Sequence, residues 1–323
     1  MSATSRRAVL TGIGMLLCIQ PVLNPAQAQE PLRIIYPYPA GGAGDAIARM
    51  FAEHLKMALN RPVIVENKTG ASGVIGVQAV RDAPPDGNTL LFTATGQLAI
   101  QPHTTSKAGY DPFVDFAPIS DVARTEVALA VGGQLPVRSL AELKDWLKAN
   151  PDRATYASPG AATAAHFAGM ELARAYGVPL NHVAYRGAPA ALPDLIAGRV
   201  PLLFAISAEL MEHHKSGGIR ILAVASEART PFLPDVPTFA QNGVDVVAPT
   251  GFSFYAHSRT APASVERFEK AIGAISQLPE IKTRIQALGL QPTGTTGTEL
   301  ARHLRTQSDR WAAVVKASGF KLD

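Results

Sequence analysis

Short runs of β-branched and apolar residues alternate along the chain with longer stretches in which apolar residues recur every three or four positions. The first run, Leu32–Tyr36, predicts a strand, and the apolar period after it predicts a helix that Asp45 caps and that ends before Pro62. Two more strands are expected at residues 63–65 and 89–93, with a glycine-punctuated helix between them. The N-terminal part of the chain therefore predicts a β-α-β-α-β series.

The same alternation restarts after an irregular stretch at residues 102–118. A strand at residues 127–131 precedes a helix opened by a capping box, Ser139 with Glu142. Further strands are predicted at residues 155–157, 182–185, 202–204, 221–224 and 252–256. Further helices are predicted at residues 263–276, 279–287 and 298–317. Alternating β and α elements favour an α/β fold, with mostly parallel sheets flanked by helices on both faces.

Two such series, followed by a C-terminal part too helical to form its own sheet domain, indicate that the chain crosses twice between two lobes. We predict that residues 29–126 and 248–323 form the first lobe and that residues 127–247 form an inserted second lobe. A chain of this length can bury a large core and is long enough for two domains.

The N-terminus has the order of a secretory signal peptide, residues 1–28. Arg6 and Arg7 precede an apolar run at residues 8–19 that is too short to span a bilayer, and Ala26-Gln27-Ala28 supplies a small-residue cleavage pattern. We expect cleavage after Ala28 and a periplasmic location. The paired arginines also fit a twin-arginine signal, which leaves the export route open. An uncleaved N-terminal anchor is the alternative.

Composition and charge exclude several classes of function. The only cysteine, Cys18, lies in the predicted signal peptide, where Leu17 disfavours lipid attachment, so the mature chain would hold no disulfide, cysteine nucleophile or cysteine-ligated metal. Cleavage removes two of the 30 basic residues and none of the 26 acidic residues, which leaves a formal charge of +2. No basic tract is interleaved with aromatic residues, which argues against a nucleic-acid partner. No later apolar run is long enough to cross a membrane.

Two loops have the features of an anion site built from backbone groups. Each joins a predicted strand to a helix, is rich in glycine and alanine, and lacks cationic side chains. In open α/β sheets, ligands bind beyond the carboxyl ends of strands, where the unpaired N–H groups of a helix N-terminus can hold a carboxylate without lysine or arginine. The candidate ligand-binding residues are Tyr38, Pro39, Ala40, Gly41, Gly42 and Asp45 in the first loop, and Ser158, Gly160, Ala161, Ala162 and Thr163 in the second.

Each loop also has a purely structural interpretation. The first is compatible with an ordinary tight turn in which glycine supplies a positive φ. The second is compatible with a helix entry capped by Ser158 or Thr163. Their matching positions in the two predicted lobes favour a shared site between them.

Several single residues are further candidates. His166 lies one turn into the helix after the second loop, where it either lines the cleft or packs inside the lobe. Arg186 follows a strand and could contact a distal carboxylate, the alternative being a surface arginine. Thr93, Thr95 and Ser207 lie at strand ends and could donate hydroxyl groups.

Common cofactor and catalytic motifs are missing from the sequence. There is no dinucleotide fingerprint, P-loop, G-x-S-x-G nucleophile elbow or H-E-x-x-H pair. The His213-His214 pair does not converge on a helix and favours a solvated helix end over a metal site. We therefore expect no cofactor, no metal site and no catalytic residue.

At the loops and at several other segments, the sequence resembles the substrate-binding proteins of tripartite tricarboxylate transporters, the Bug or TctC family. The resemblance covers essentially the whole mature chain, through the segments 37–49, VENKTGASG (65–73), DGNTLL (86–91), 156–169, YRG (185–187), LAVAS (222–226) and LPDVPT (233–238). It implies a two-lobed Venus-flytrap fold of the periplasmic binding proteins. It also implies small carboxylate ligands and inner-membrane transporter subunits as partners, and we expect a monomer. In the family, the two loops hold the ligand carboxylate through backbone amides and ordered waters, which carries over onto residues 38–45 and 158–163.

Two residues depart from the family pattern. Pro159 has no N–H, so one backbone donor is absent from the second loop. Ala205 stands where many relatives have aspartate, which leaves a ligand amine without an obvious counter-charge. We therefore expect a carboxylate without a cationic group, with a dicarboxylate or an aromatic acid favoured.

The leading hypothesis is a periplasmic solute-binding receptor for a tripartite tricarboxylate-type transporter, and not an enzyme. A sensor that presents its ligand to a membrane signalling protein would share the same binding chemistry. A third hypothesis is an α/β hydrolase that uses Ser158 with His166, although no acid or oxyanion motif accompanies this pair.

Overall fold

The structure is a computed structural model that describes residues 30–105 and 107–322. The predicted signal peptide lies outside these residues. Strands and helices alternate through most of the described chain, as the apolar periods predict. In chain order they are β1 (Leu32–Tyr36), α1 (Ala43–Leu59), β2 (Val63–Asn67), α2 (Val74–Arg81), β3 (Thr89–Ala94), α3 (Thr95–Ala99), α4 (Gln101–Thr104), β4 (Phe116–Gly132), α5 (Leu140–Ala149), β5 (Thr155–Ser158), α6 (Ala164–Tyr176), β6 (Asn181–Ala184), α7 (Ala188–Ile196), β7 (Leu202–Ile206), α8 (Ser207–Lys215), β8 (Ile219–Val224), β9 (Pro249–His257), α9 (Pro262–Gln277), α10 (Pro279–Ala287), β10 (Gln291–Pro292) and α11 (Gly297–Ser318).

Each lobe contains a mixed sheet rather than the mostly parallel one that was predicted. In the first lobe β2, β1 and β3 are parallel, and β9 pairs antiparallel with both β3 and β4. In the second lobe β6, β5 and β7 are parallel, and β4 pairs antiparallel with β7 and β8. The parallel strands are those joined by the predicted helices, because a parallel connection needs a crossover helix. The α/β prediction is confirmed, and the antiparallel strands belong to the crossing between the lobes.

Strand β4 belongs to both sheets. Its residues from Phe116 to Glu126 pair with β9, and its residues from Val127 onward pair with β7 and β8. A strand of 17 residues spans roughly 56 Å, which is long enough to pass from one lobe into the other. The predicted boundary between residues 126 and 127 coincides with this change of partner, and β9 begins just after the second predicted boundary. On this basis we propose that the lobes divide between residues 126 and 127 and between residues 247 and 248.

One part of the sequence prediction is wrong. The stretch at residues 102–118 was expected to be irregular, with a strand only from residue 127. The chain instead forms α4 within this stretch, and β4 already begins at Phe116. The strand is hard to recognise from its sequence because Pro118, Asp121 and Arg124 interrupt its apolar pattern. Two register shifts against β9 accommodate this first half of the strand.

The last helix, α11, joins the two lobes along one side of the molecule. It begins with a complete capping box in which Thr296 and Glu299 satisfy each other's backbone N–H groups. On the first lobe, Ser308 hydrogen-bonds the His103 ring at 2.8 Å. On the second lobe, the ring of Trp311 lies 6.0 Å from that of Phe167. Because α11 packs against both lobes, its apolar face contributes to the core of each.

We predict that Trp311→Ala lowers the free energy of unfolding by about 3–5 kcal/mol, because it removes a large side chain that is only 1% exposed and leaves a cavity. Urea unfolding monitored by circular dichroism measures the loss. Trp146→Ala is the matched control, since Trp146 is only partly buried at the edge of the core. Equal losses in the two variants would contradict the role given to α11.

Candidate functional site

A cavity of about 90 Å³ lies between the two lobes, at the ends of β1, β3 and β7. The first lobe contributes the start of α1 and aromatic side chains, and the second lobe contributes the start of α6. Its lining residues are Tyr36, Tyr38, Pro39, Gly42, Ala94, Gly96, Val127, Pro159, Thr163, Ala164, Ala165, Gly187, Ala188, Pro189, Ile206, Glu209, Thr250 and Phe252. None of these residues is lysine, arginine or histidine. The predicted combination of two loops around one cavity is therefore present.

The first loop is held in shape from behind by the carboxylate of Asp45. This carboxylate accepts hydrogen bonds from the Gly41 N–H at 3.2 Å, from Nε of Arg49 at 3.0 Å and from Nδ2 of Asn67 at 2.9 Å. Asn67 also donates to the carbonyl of Tyr38 at 3.0 Å. Burial alone would raise the pKa of Asp45, but the three hydrogen bonds outweigh it and lower the pKa.

The prediction that Asp45 is the N-cap of α1 is wrong. The helix begins at Ala43, so Gly42 has the N-cap position and no side chain caps it. Asp45 lies within the first turn, where its negative charge is favourable near the helix N-terminus. Its side chain therefore orders the loop through Gly41 and Asn67, behind the cavity rather than in it.

The second loop ends in a helix N-terminus that faces the cavity. Thr163 is the N-cap of α6, and its hydroxyl accepts a hydrogen bond from the N–H of His166 at 3.2 Å. The first N–H groups of a helix have no intrahelical acceptor, and in the described part of the chain no hydrogen bond is formed by those of Ala164 and Ala165, which line the cavity. These two N–H groups, with the dipole of α6 behind them, make the cavity wall favourable for an anion.

A buried histidine pair holds the second loop from behind. His166 accepts a hydrogen bond at Nδ1 from the N–H of Ala162 at 3.1 Å, and its ring stacks on His182 at 3.9 Å between centroids. Ala162 has a positive φ of 56°, a conformation that alanine adopts only when its surroundings impose it. Burial lowers the pKa of His166 to about 3, with a contribution from His182, and lowers that of His182 to about 4. Both rings are therefore neutral and serve to shape the loop.

Ser158 contacts the same pair but does not face the cavity. It is fully buried, and its Oγ lies 2.7 Å from Nε2 of His182 and 3.3 Å from the donating N–H of Gly160. The hydrolase hypothesis paired Ser158 with His166, and this pairing is wrong. A fully buried serine beside a neutral histidine has no access to a substrate.

Of the predicted site residues, Tyr38, Pro39, Gly42 and Thr163 line the cavity. Residues that lie in the two loops without lining it are Ala40, Gly41, Asp45, Ser158, Gly160, Ala161 and Ala162. Single residues that the structure keeps away from it are Thr93, Thr95, His166, Arg186, Ala205 and Ser207. Pro159, which departs from the family pattern, does lie at the site, because it is one of the residues that line the cavity.

The single candidates lie outside the cavity lining, and several of them are buried or have other hydrogen-bond partners. Thr93 and Ala205 are fully buried within their strands, and Thr95 contacts the carbonyl of Gly251. Ser207 donates to the Glu126 carboxylate at 2.6 Å. Arg186 is exposed and lies outside the lining, which matches its surface alternative.

Glu209 was not among the predicted site residues, although it is the only acidic residue that lines the cavity in the described part of the chain. It lies in the first turn of α8, just beyond the carboxyl end of β7. Ligands in open α/β sheets bind beyond the carboxyl ends of strands. This rule, which suggested Ser207, applies equally to Glu209 two positions later. Burial raises the pKa of Glu209 to about 7, although hydrogen bonding from the Ala43 N–H acts in the opposite direction.

Two further classes of site have no counterpart in the described residues. No group of three or more histidine, cysteine, aspartate or glutamate side chains within residues 30–105 and 107–322 has the arrangement of a metal site. Among the helices of the same residues, none is both long and apolar enough to cross a membrane.

Comparisons with known proteins match the sequence to a family and the fold to solved structures. The family model described as tripartite tricarboxylate transporter family receptor matches residues 47–320. Protein BugT of Bordetella pertussis is 30% identical over 97% of this chain and 98% of its own. The solved periplasmic binding protein BugD is 30% identical, with a TM-score of 0.85 over 91% of this chain and 99% of BugD. A protein from R. palustris solved with adipate is 27% identical, with a TM-score of 0.86 over the same shares.

The two lobes, the cavity between them and these structural matches define a periplasmic binding protein, a class of receptors for small solutes. The chain belongs to the tripartite tricarboxylate transporter receptor family, also called the Bug or TctC family. The resemblance recognised from the sequence is thereby confirmed. The family consists of receptors and not of enzymes.

We predict that Asp45→Ala lowers the free energy of unfolding at pH 7 by about 1–3 kcal/mol, because the Gly41 N–H and the Asn67 amide lose their acceptor. Urea unfolding provides the measurement. Glu53→Ala removes an exposed acid from the same helix and should change the stability by less than about 0.5 kcal/mol. A loss no larger than that of this control would rule out the ordering role of Asp45.

A second prediction concerns the pH dependence of stability. Because burial raises the folded-state pKa of Glu209 to about 7, the folded protein holds this proton more tightly than the unfolded chain does. Stability from this source is present below about pH 4 and is lost as the pH rises through 7. We therefore predict that Glu209→Gln changes the free energy of unfolding, relative to the wild type, more favourably at pH 8.5 than at pH 5. The difference between the two pH values should be about 1–3 kcal/mol.

Urea unfolding of both proteins at the two pH values measures this difference. Glu212→Gln is the control, because Glu212 lies on the same helix with its side chain 80% exposed. An unchanged pH dependence in Glu209→Gln would show that Glu209 is not held in a buried environment.

Proposed function

We propose that the protein is a periplasmic receptor that captures a small organic carboxylate in the cavity between its lobes, for a transporter of the tripartite tricarboxylate type. The observation that carries this proposal is the N-terminus of α6. Its free N–H groups at Ala164 and Ala165 border a cavity whose lining has no cationic side chain. Helix N-termini bind carboxylates as well as other small anions, and a carboxylate is the group that the family relationship favours.

The shape of the cavity supports a ligand with an apolar body. The rings of Tyr36, Tyr38 and Phe252 form one wall, and the prolines Pro39 and Pro159 form others. Such walls exclude water from the carboxylate, and hydrogen bonds strengthen when water is excluded. The volume of about 90 Å³ suits a small acid, well below the roughly 300 Å³ of pockets for drug-sized ligands.

The adipate-bound relative lends support to a carboxylate. The sequence-based preference for a dicarboxylate or an aromatic acid rested on Ala205, since no acid stands at that position. Because Ala205 is fully buried in β7 and Glu209 lines the cavity instead, that reason no longer applies. An aromatic acid stays compatible with the ring-lined wall.

The compartment and the partner are part of the same proposal. The predicted signal peptide, residues 1–28, would direct the chain to the periplasm, where the receptor would deliver its ligand to inner-membrane transporter subunits as a monomer. A sensor function would use the same cavity and differ only in its membrane partner. The transporter is the partner that the family name supports.

A thermal-shift screen of the mature protein against mono- and dicarboxylic, aromatic and amino acids tests this proposal. A ligand that binds only the folded state at 100 times its Kd stabilises it by about 2.7 kcal/mol and raises the melting temperature. We predict that Ala164→Leu abolishes the shift, because the larger side chain fills the cavity at the α6 N-terminus. Ala161→Leu is the control, since Ala161 lies in the same loop outside the lining.

Circular dichroism of both variants checks that each is folded. The proposal is wrong if no carboxylate shifts the melting temperature of the wild type, or if folded Ala164→Leu binds its ligand as the wild type does. If Ala161→Leu loses binding and Ala164→Leu does not, the ligand binds outside the cavity.

A further inference from the structure

Glu209 projects into the cavity from the second lobe and meets the first loop across it. An ideal Cβ atom added to Gly42 would lie 2.7 Å from Oε1 of Glu209, closer than real Cβ contacts allow. The N–H of Ala43, the first residue of α1, is close enough to this carboxylate to lower its pKa. The glycine at position 42 thus gives the Glu209 carboxylate the space to reach the N-terminus of α1.

The two helix N-termini at the cavity are consequently not equivalent. The Glu209 carboxylate lies against the N-terminus of α1, whereas Ala164 and Ala165 at the start of α6 line the cavity with N–H groups that form no hydrogen bond within the described residues. A ligand carboxylate therefore has one free position, at α6. We expect the other end of the ligand to lie toward Glu209, because Glu209 and the start of α6 line the same small cavity.

The groups that face Glu209 offer no positive charge. From the first lobe these are the rings of Tyr36 and Tyr38, and both phenols have a raised pKa that burial causes and the negative charge of Glu209 increases. No lysine, arginine or histidine belongs to the described lining. A second ligand carboxylate at this end would meet a like charge in a partly desolvated site, which is costly. A ligand ammonium would instead pair with Glu209 and offset its burial.

We propose that Glu209 determines the charge of the ligand, and that the preferred ligand is an amino-carboxylate whose carboxylate binds at α6 and whose ammonium group pairs with Glu209. This inference rests on the proposed function, because it needs the carboxylate to bind at α6. It replaces the earlier expectation of a ligand without a cationic group.

The test compares ligands that differ at one end only. Isothermal titration calorimetry is run at pH 8.5, where Glu209 is ionised, with succinate and 4-aminobutyrate, their shorter and longer homologues, and terephthalate with 4-(aminomethyl)benzoate. In each pair a carboxylate is replaced by an aminomethyl group of similar size. The wild type, Glu209→Gln and the control Glu212→Gln are measured with the same compounds.

The wild type and Glu212→Gln should bind the amino-carboxylate of at least one pair ten times or more tighter than its dicarboxylate. In Glu209→Gln that ratio should fall by at least tenfold. A ratio that Glu209→Gln leaves unchanged, or a wild type that prefers the dicarboxylates, overturns the role of Glu209 while leaving the carboxylate receptor intact. Failure of every carboxylate to bind overturns the receptor proposal itself, and this inference with it.

Discussion

The architecture depends on one continuous strand that hydrogen-bonds within two sheets. Since β4 pairs with β9 in the first lobe and with β7 and β8 in the second, neither sheet is complete without it. The change of partners at Glu126 and Val127 coincides with the proposed boundary between the lobes, and Val127 forms part of the cavity wall. The same strand that joins the lobes therefore lies at the floor of the cleft, and a relative rotation of the lobes would act on the cavity directly.

The cleft achieves its polarity with backbone groups and one acid. Each loop is supported from behind by buried polar side chains, Asp45 and Asn67 for the first and the His166–His182 pair for the second. These side chains do not line the cavity, and they fix the backbone whose N–H groups do. Such an arrangement presents rigid dipoles without the entropy cost of ordering long cationic side chains. Among the described lining residues, Glu209 is also the one whose charge changes near neutral pH.

The candidate site could be predicted as two loops but not as a list of side chains. Glycine, alanine and the absence of cations marked the loops correctly, because these properties belong to local sequence. Whether a residue faces the cavity or supports it from behind depends on side-chain direction, and this separates Thr163 from its neighbours Ala161 and Ala162. Thr93 and Ser207 lie at strand ends, which suggests a site, yet both are buried and Ser207 donates to Glu126.

The sequence by itself determined the α/β class, the order of most elements, the two loops and the family, because these follow from apolar periodicity, capping residues and local motifs. Only the tertiary structure decided the first half of β4, since its polar residues are accommodated by pairing with β9, which lies more than a hundred residues later in the chain. Only the tertiary structure brought Glu209 to the start of α1 and placed Ala205 and Arg186 outside the cavity lining. Contacts between residues so distant in sequence arise from the packing of the lobes, which no local pattern records.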